Sequence, residues 1–101
     1  MVTEEQILEA LSQVLDPELN FDVVALGLIY SIDIQDGERV FVKMTLTTPA
    51  CPLAGQIHRQ AEAAVASVPG ITQAMVELVY DPPWNPTMMS DEAKLALGYP
   101  I

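Results

Sequence analysis

The dipeptide Asp36-Gly37 and the segments beside it place the strongest constraint on how this chain folds. A type I′ turn needs positive φ at both central positions, which favours Asp-Gly. Apolar and polar residues alternate from Leu28 to Gln35 and again from Val40 to Thr47, the period of half-buried strands. The sequence therefore predicts an antiparallel hairpin with a two-residue turn. The residues predicted to face the core are Tyr30, Ile32, Ile34, Val40, Val42, Met44 and Leu46.

A helix is predicted ahead of the hairpin. Thr3 and Gln6 have the spacing of a capping box, in which each side chain accepts a hydrogen bond from the other residue's backbone. Apolar residues then recur at helical spacing from Ile7 to Leu15. Pro17 disfavours helical geometry at the residue before it, so the helix is expected to end near Asp16.

Two more helices and one more strand are predicted after the hairpin. A helix with an apolar stripe from Leu53 to Val68 ends at Pro69-Gly70, and a strand follows over 72–80 with Val76, Leu78 and Tyr80 on one side. The last helix, 90–97, is closed by Gly98. The order α-β-β-α-β-α predicts one α+β domain over residues 1–101, a two-layer fold with a small mixed three-stranded sheet and helices on one face. It leaves open which strand the third one pairs with.

The net charge excludes several kinds of partner. The chain has 101 residues, with 14 acidic and 4 basic side chains and a formal charge of −10. A surface of that charge repels nucleic-acid phosphates and anionic membranes, and no basic stripe offsets it. Half of the residues are apolar, which is enough for a buried core despite the charge. We therefore expect a folded domain with no nucleic-acid or membrane partner.

The expected location is the cytoplasm. The longest apolar run, Val23 to Tyr30, is too short to cross a bilayer, and Glu4 and Glu5 stand where a secretory signal would be basic. The single cysteine, Cys51, cannot form a disulfide within the chain, so nothing in the sequence points to an oxidising compartment.

Cys51 is the strongest candidate for chemistry. Pro52 follows it, and proline is favoured at the first position of a helix, so Cys51 is the predicted N-cap of the second helix. Free backbone N–H groups and the helix dipole there stabilise a thiolate, the form that attacks electrophiles or binds metal. The alternative is a small cysteine that packs in the core.

One cysteine is too few for a self-contained metal site. Iron–sulfur clusters and structural zinc usually take four protein ligands. His58 is the single histidine, and seven helical residues place it about 10 Å along the axis from Cys51. We therefore interpret His58 as an ordinary surface residue. A cluster on Cys51 would need a second subunit, a client protein or a small thiol.

Two other segments have both a functional and a structural interpretation. Asp16, Glu18 and Asp22 form an acidic loop that could bind a cation or assist proton transfer near Cys51. Alternatively, Asp16 stops the helix, Glu18 is solvated and Asp22 caps a single turn closed by Gly27. The stiff segment Asp81-Pro82-Pro83-Trp84 could hold its tryptophan over a site or against the core.

Taken together and in order, five stretches resemble the SufT/PaaD-like iron–sulfur cluster maturation family. The resemblance covers nearly the whole chain. The stretches are Asp16-Pro17-Glu18, Leu26-Gly27-Leu28-Ile29-Tyr30, Thr45-Leu46-Thr47-Thr48-Pro49-Ala50-Cys51-Pro52, Asp81-Pro82-Pro83-Trp84 and the end from Met89-Ser90 to Glu92-Ala93-Lys94.

The resemblance implies a role in assembling iron–sulfur clusters or delivering them to client proteins. It implies that Cys51 is a transient cluster or metal ligand, and that the expected cofactor is a transient cluster or iron shared between subunits. It also implies a homodimer whose partners are apo-proteins or the assembly machinery. The residues expected to line the same site are Asp16, Glu18, Thr48, Pro49, Asp81 and Trp84.

The chain departs from the family pattern at two places. Ala25 stands where an acidic residue usually precedes Leu-Gly-Leu, and 85–89 replaces a stretch that usually contains arginine. Two alternative functions stay open. One is a non-catalytic accessory subunit of a multicomponent enzyme, such as an aromatic-ring oxygenase. The other is an enzyme that uses Cys51 as its nucleophile, although the sequence shows no evident base.

Overall fold

The computed structural model describes residues 2–16, 19–47 and 54–98. The predicted α+β fold and its order of helices and strands are confirmed, with one additional short 3₁₀ turn before the last helix. The elements are α1 (Glu4–Leu11), β1 (Ile29–Gln35), β2 (Arg39–Met44), α2 (Ala54–Ala66), β3 (Gln73–Leu78), the 3₁₀ turn (Pro86–Met88) and α3 (Asp91–Leu97).

The hairpin forms as predicted, except that its loop is one residue longer. Asp36 and Gly37 have φ of 56° and 70°, and the Glu38 N–H donates to the Gln35 carbonyl at 3.2 Å. The strand register pairs Gln35 with Arg39, so Glu38 stays in the loop. Its carbonyl instead accepts a hydrogen bond at 2.8 Å from Thr72, on the approach to β3. The hairpin loop therefore also anchors the third strand.

The third strand joins the sheet next to the second. β2 and β3 are parallel, with Val42 opposite Val76, and the strand order is β1-β2-β3. Because α2 connects two parallel strands, it must run back along the sheet. Its first turn therefore lies at the end of the sheet where β2 and β3 finish.

The first helix begins as predicted but ends earlier. Thr3 and Gln6 form the complete capping box. The helix stops at Leu11 rather than near Asp16, since the Ser12 hydroxyl donates to the Glu9 carbonyl at 2.6 Å and the backbone leaves the helical path.

Residues 14–16 and 19–23, which we call the hook, are held by backbone hydrogen bonds and replace the predicted last turn of α1. The Asp16 N–H donates to the Phe21 carbonyl at 2.8 Å, and the Val23 N–H donates to the Val14 carbonyl at 3.0 Å. Leu15, predicted to lie on the buried face of the helix, is 48% exposed. The helical pattern failed here because the chain reverses to pair with itself.

The core lies between the sheet and the helices. The predicted stripe of α2 is confirmed at Ile57, Ala61 and Val65, which are fully or almost fully buried. Tyr80, predicted on the buried side of the third strand, is 42% exposed. The strand ends at Leu78, two residues earlier, because the chain then enters a proline-rich segment that cannot continue the ladder.

Gly27 closes the turn that Asp22 caps, as predicted. The Asp22 carboxylate accepts a hydrogen bond from the Ala25 N–H at 2.9 Å, and Gly27 has φ of +74°. A Cβ at this position would lie 2.2 Å from the backbone oxygen of Met88. Gly27 is therefore required both by its own conformation and by the close approach of another segment.

The helices are too short or too polar to cross a bilayer: within residues 2–16, 19–47 and 54–98, no helix has the length and apolar character that this requires.

We predict that Gly27→Ala lowers the free energy of unfolding by about 3 kcal/mol. An alanine is strained in the left-handed backbone conformation of this position, and its Cβ forces Met88 away from its present position. Urea denaturation followed by far-UV circular dichroism measures the loss.

Gly98→Ala is the matched control, because Gly98 has φ of +83° and nothing within 4 Å of its added Cβ. It carries the strain alone and should cost about 1 kcal/mol. Equal losses for the two variants would show that the contact with Met88 is unimportant.

Candidate functional site

The predicted site residues fall into two groups. The first group lies outside the described residues and consists of Glu18, Thr48, Pro49 and Cys51, the last being the predicted N-cap of α2. The second group, Asp16, Asp81 and Trp84, is described and can be placed.

The described residues on either side of Cys51 belong to the end of β2 and the start of α2. The Thr45 N–H donates to the Leu28 carbonyl at 2.8 Å, which continues the hairpin pairing just beyond β2. In the sequence, Cys51 follows Thr47 by four residues and precedes Ala54, the first residue of α2, by three. Both flanking segments lie at the end of the sheet where β2 finishes.

Asp16 lines a cleft beside the first turns of α2. The cleft has a volume of about 650 Å³, and its walls include Asp16, Asn20, Gln56 and Gln60. Asp16 is 1% exposed, and its Oδ1 accepts a hydrogen bond from the Leu19 N–H at 3.1 Å. The interpretation of Asp16 as a helix stop is wrong, because α1 ends at Leu11. Its carboxylate instead holds the hook closed while bordering the cleft.

Trp84 belongs to a segment that crosses to the start of β1. We call this segment, residues 80–90, the strap, and two hydrogen bonds fix it. The Trp84 Nε1–H donates to the Leu26 carbonyl at 2.6 Å, and the Tyr30 hydroxyl donates to the Pro82 carbonyl at 2.8 Å. Trp84 is half-buried and packs against the core. The packing interpretation of Trp84 is thus confirmed, whereas Asp81 is exposed on the strap.

The described site residues do not share one cleft. Asp16 borders the cleft beside α2, and neither Asp81 nor Trp84 is among its lining residues. The strap nevertheless reaches the same end of the sheet, because Leu26, which binds Trp84, is two residues from Leu28, which binds Thr45. Asp16 and the strap therefore lie near this end of the sheet without sharing a cleft.

His58 proves to be a structural residue rather than an ordinary surface one. Its Nε2 contacts the Val76 carbonyl oxygen and lies 3.2 Å from Oε2 of Glu62, which in turn accepts a hydrogen bond from the Val76 N–H at 3.1 Å. The N–H and the carbonyl of Val76 both point away from β2, because only every second residue of β3 directs these groups toward that strand. The two side chains of α2 thus clamp the outer edge of β3. The i, i+4 spacing of His58 and Glu62 places the two side chains on one face of α2, but it does not indicate that they bind β3.

No metal site is complete in the described part of the chain, where no group of three or more histidine, cysteine, aspartate or glutamate side chains could hold an ion.

Comparison with known proteins identifies the family. A family model described as "Iron-sulfur cluster assembly protein" matches residues 4–78. The chain belongs to this family. The match runs from the start of α1 to the end of β3 and includes Cys51.

Individual relatives agree with this assignment. The chain is 45% identical to the Fe-S protein maturation auxiliary factor SufT of Staphylococcus aureus over 84% of its own length and 97% of that protein. It is 45% identical to an iron-sulfur cluster carrier protein of Deinococcus radiodurans over 72% of its length and 21% of that longer protein. The solved structure of a domain of unknown function, DUF59, from Bacillus anthracis superposes with a TM-score of 0.90 at 38% identity, covering 94% and 91% of the two chains.

The comparisons confirm the SufT-like resemblance and place the chain among proteins of iron–sulfur cluster assembly. They do not test which side chains form the site, so the roles of Cys51 and its neighbours stay predictions.

We predict that Trp84→Phe lowers the free energy of unfolding by about 1–3 kcal/mol. The ring keeps most of its packing, but the buried Leu26 carbonyl loses its donor. Denaturation followed by circular dichroism measures the change. Tyr80→Phe, which removes a polar group from an exposed side chain of the same strap, should stay close to the parent. Equal losses in the two variants would contradict a specific bond to Leu26.

We also predict that His58→Ala costs about 1 kcal/mol of stability, because the Val76 carbonyl loses its contact with α2. Relative to the parent, amide hydrogen exchange in the variant should accelerate more in β3 than in β1. Arg59→Ala, at the neighbouring exposed position, is the control. Unchanged β3 exchange in His58→Ala would show that the clamp does not hold the strand.

Proposed function

We propose that this protein is an accessory factor that binds an iron–sulfur cluster transiently through Cys51 and passes it to client proteins. The observation that carries the proposal is the cleft between Asp16 and the first turns of α2, the helix that follows Cys51 in the sequence. Relatives named as a maturation auxiliary factor and as a cluster carrier support this activity.

The number of cysteines requires that the cluster be shared. Thiolate sulfur is the usual ligand of iron–sulfur clusters, and four ligands are the usual number. This chain supplies one cysteine. We infer that a second copy in a homodimer, the client or a small thiol supplies the others. Such incomplete ligation favours a carrier, because a cluster bound by few protein ligands is easily released to a client with more.

The other site residues support the thiol rather than bind iron. We propose that Asp16 and Glu18 provide acidic groups near Cys51 for proton transfer when the thiolate is released. Thr48 and Pro49, which precede Cys51 in the sequence, are proposed to contribute to the same site. Asp81 and Trp84 lie outside the cleft that Asp16 borders, and we propose that they approach the site from the strap, which the bond from Trp84 to Leu26 fixes.

The charge of the chain fits a carrier that meets its partners in the cytoplasm. At −10, the protein is attracted to basic protein surfaces and repelled from acidic ones. We therefore propose that client apo-proteins or components of the assembly machinery present a basic surface to it.

The nucleophile hypothesis is weakened by the position of His58. A cysteine nucleophile is usually activated by a neighbouring histidine. The single histidine of this chain has its Nε2 against the Val76 carbonyl and beside Glu62, on the edge of β3. It is therefore committed to holding that strand.

We predict that Cys51→Ser abolishes cluster binding. The parent and the variant are incubated anaerobically with iron, sulfide and a thiol, and the visible absorption band, iron and acid-labile sulfide are measured. Transfer to an apo-protein that accepts a cluster is measured by recovery of that protein's activity. The variant should form no band and transfer nothing, because oxygen replaces the thiolate ligand.

Met75→Ala is the control, since Met75 is a sulfur-containing side chain that is 50% exposed. It should load and transfer like the parent, which excludes non-specific iron sulfide on exposed sulfur. Equal loading of Cys51→Ser would disprove the ligand role. If that variant still co-purified with a multicomponent enzyme, the accessory-subunit function would take its place.

A further inference from the structure

A trough runs along the seam between α1 and α2 and begins at the cleft beside Asp16, which also belongs to the candidate site. It consists of the cleft of about 650 Å³ beside Asp16 and a second cleft of about 410 Å³ near the end of α2. Gln13 lines both clefts. The two clefts are therefore adjacent, with Gln13 between them, and we call them together the trough.

The helical spacing of the lining residues shows that the trough follows α2 from its first turn and continues past the end of the helix. Its α2 wall comes from one face of the helix, with Gln56, Ile57, Gln60, Ala63 and Ala64 at i, i+1, i+4, i+7 and i+8. This wall is about 12 Å long at 1.5 Å per residue, a length that an extended peptide covers with about four residues. Beyond the end of α2 at Ala66, the second cleft is lined by Ser67, Val68 and Pro69.

The lining chemistry suits a polypeptide backbone. Five carboxamide side chains border the trough, and each can donate to a peptide carbonyl and accept from a peptide N–H. The small side chains of Ala63 and Ala64 leave room for a main chain to approach α2. Leu15, 48% exposed, offers an apolar contact at one end. The carboxamides are those of Gln6, Gln13, Asn20, Gln56 and Gln60.

Charge selects the kind of peptide. The charged side chains among the residues that line the two clefts are Glu9, which is exposed, and Asp16, which is buried; both are acidic, and no lysine or arginine is among them. The chain as a whole carries −10. An acidic segment would be repelled along the whole trough, whereas a basic segment would be attracted to it.

We propose that this trough binds an extended, basic segment of a partner protein. The partner's backbone lies along α2 and exchanges hydrogen bonds with the carboxamides, and its basic side chains face Glu9. Since the first cleft lies beside the first turns of α2, the helix that follows Cys51 in the sequence, the segment would hold the partner near the candidate site. The docking site stands on its own geometry and does not require Cys51 to bind a cluster.

The test uses a phage-displayed library of random peptides about ten residues long, long enough to span the trough. The full-length protein is the bait, and enriched sequences are synthesised and titrated by fluorescence polarisation. Selected peptides should be basic. Ala63→Arg, which fills the trough and adds a positive charge, should weaken their binding at least about tenfold, or about 1.4 kcal/mol.

Ala66→Arg is the matched control, because Ala66 is an exposed alanine of the same helix that lines neither cleft. It should bind the peptides within about twofold of the parent, a difference of less than about 0.5 kcal/mol. Should Ala63→Arg fail to fold by circular dichroism, the double variant Gln13→Ala, Gln60→Ala removes two carboxamides and tests the same surface.

Four results would overturn the proposal. The first is the absence of any sequence family enriched over a mock selection. The second is equal binding by parent and trough variants, and the third is a preference for acidic peptides. The fourth is a dimer in analytical ultracentrifugation that Ala63→Arg, but not Ala66→Arg, converts to a monomer, which would assign the trough to a second copy. Because the bait can carry Cys51→Ser, peptide binding and cluster binding can fail independently.

Discussion

The parallel pairing of β2 with β3 is the constraint on which the rest of this structure depends. Two adjacent parallel strands cannot be joined by a tight turn, so the chain must travel back along the sheet, and α2 makes that return. The start of α2 and the ends of β2 and β3 are thereby brought to one end of the sheet, and Cys51 lies between β2 and α2 in the sequence. The candidate site exists because of this topology.

Two further segments reach the same end of the sheet by different means. The hook after α1 brings Asp16 to the first turns of α2, held by backbone hydrogen bonds between residues that are close in sequence. The strap is fixed by contacts with residues more than fifty positions away, through Trp84 to Leu26 and Met88 against Gly27. Local interactions thus position Asp16, whereas long-range interactions position Trp84.

Much of the fold could be predicted from the sequence because its signals are local. The capping box at Thr3, the positive-φ pair Asp36-Gly37 and the alternation of the hairpin each depend on neighbouring residues, and all three are confirmed. The hook and the clamp at Val76 could not be predicted, since each depends on which backbone groups the tertiary structure leaves available. Family membership was recognisable for a related reason: the ordered motifs are a property of the sequence, whereas the relative positions of Asp16 and Trp84 are not.

The clamp on Val76 also bears on how the protein avoids unwanted association. β3 is an edge strand, and a free edge is a template on which a strand of another molecule can add and begin an aggregate. His58 and Glu62 occupy the outward-facing peptide group in the middle of that edge, so an incoming strand would have to displace both side chains. The helix that the parallel sheet requires as a connection thus also serves as a guard against sheet extension.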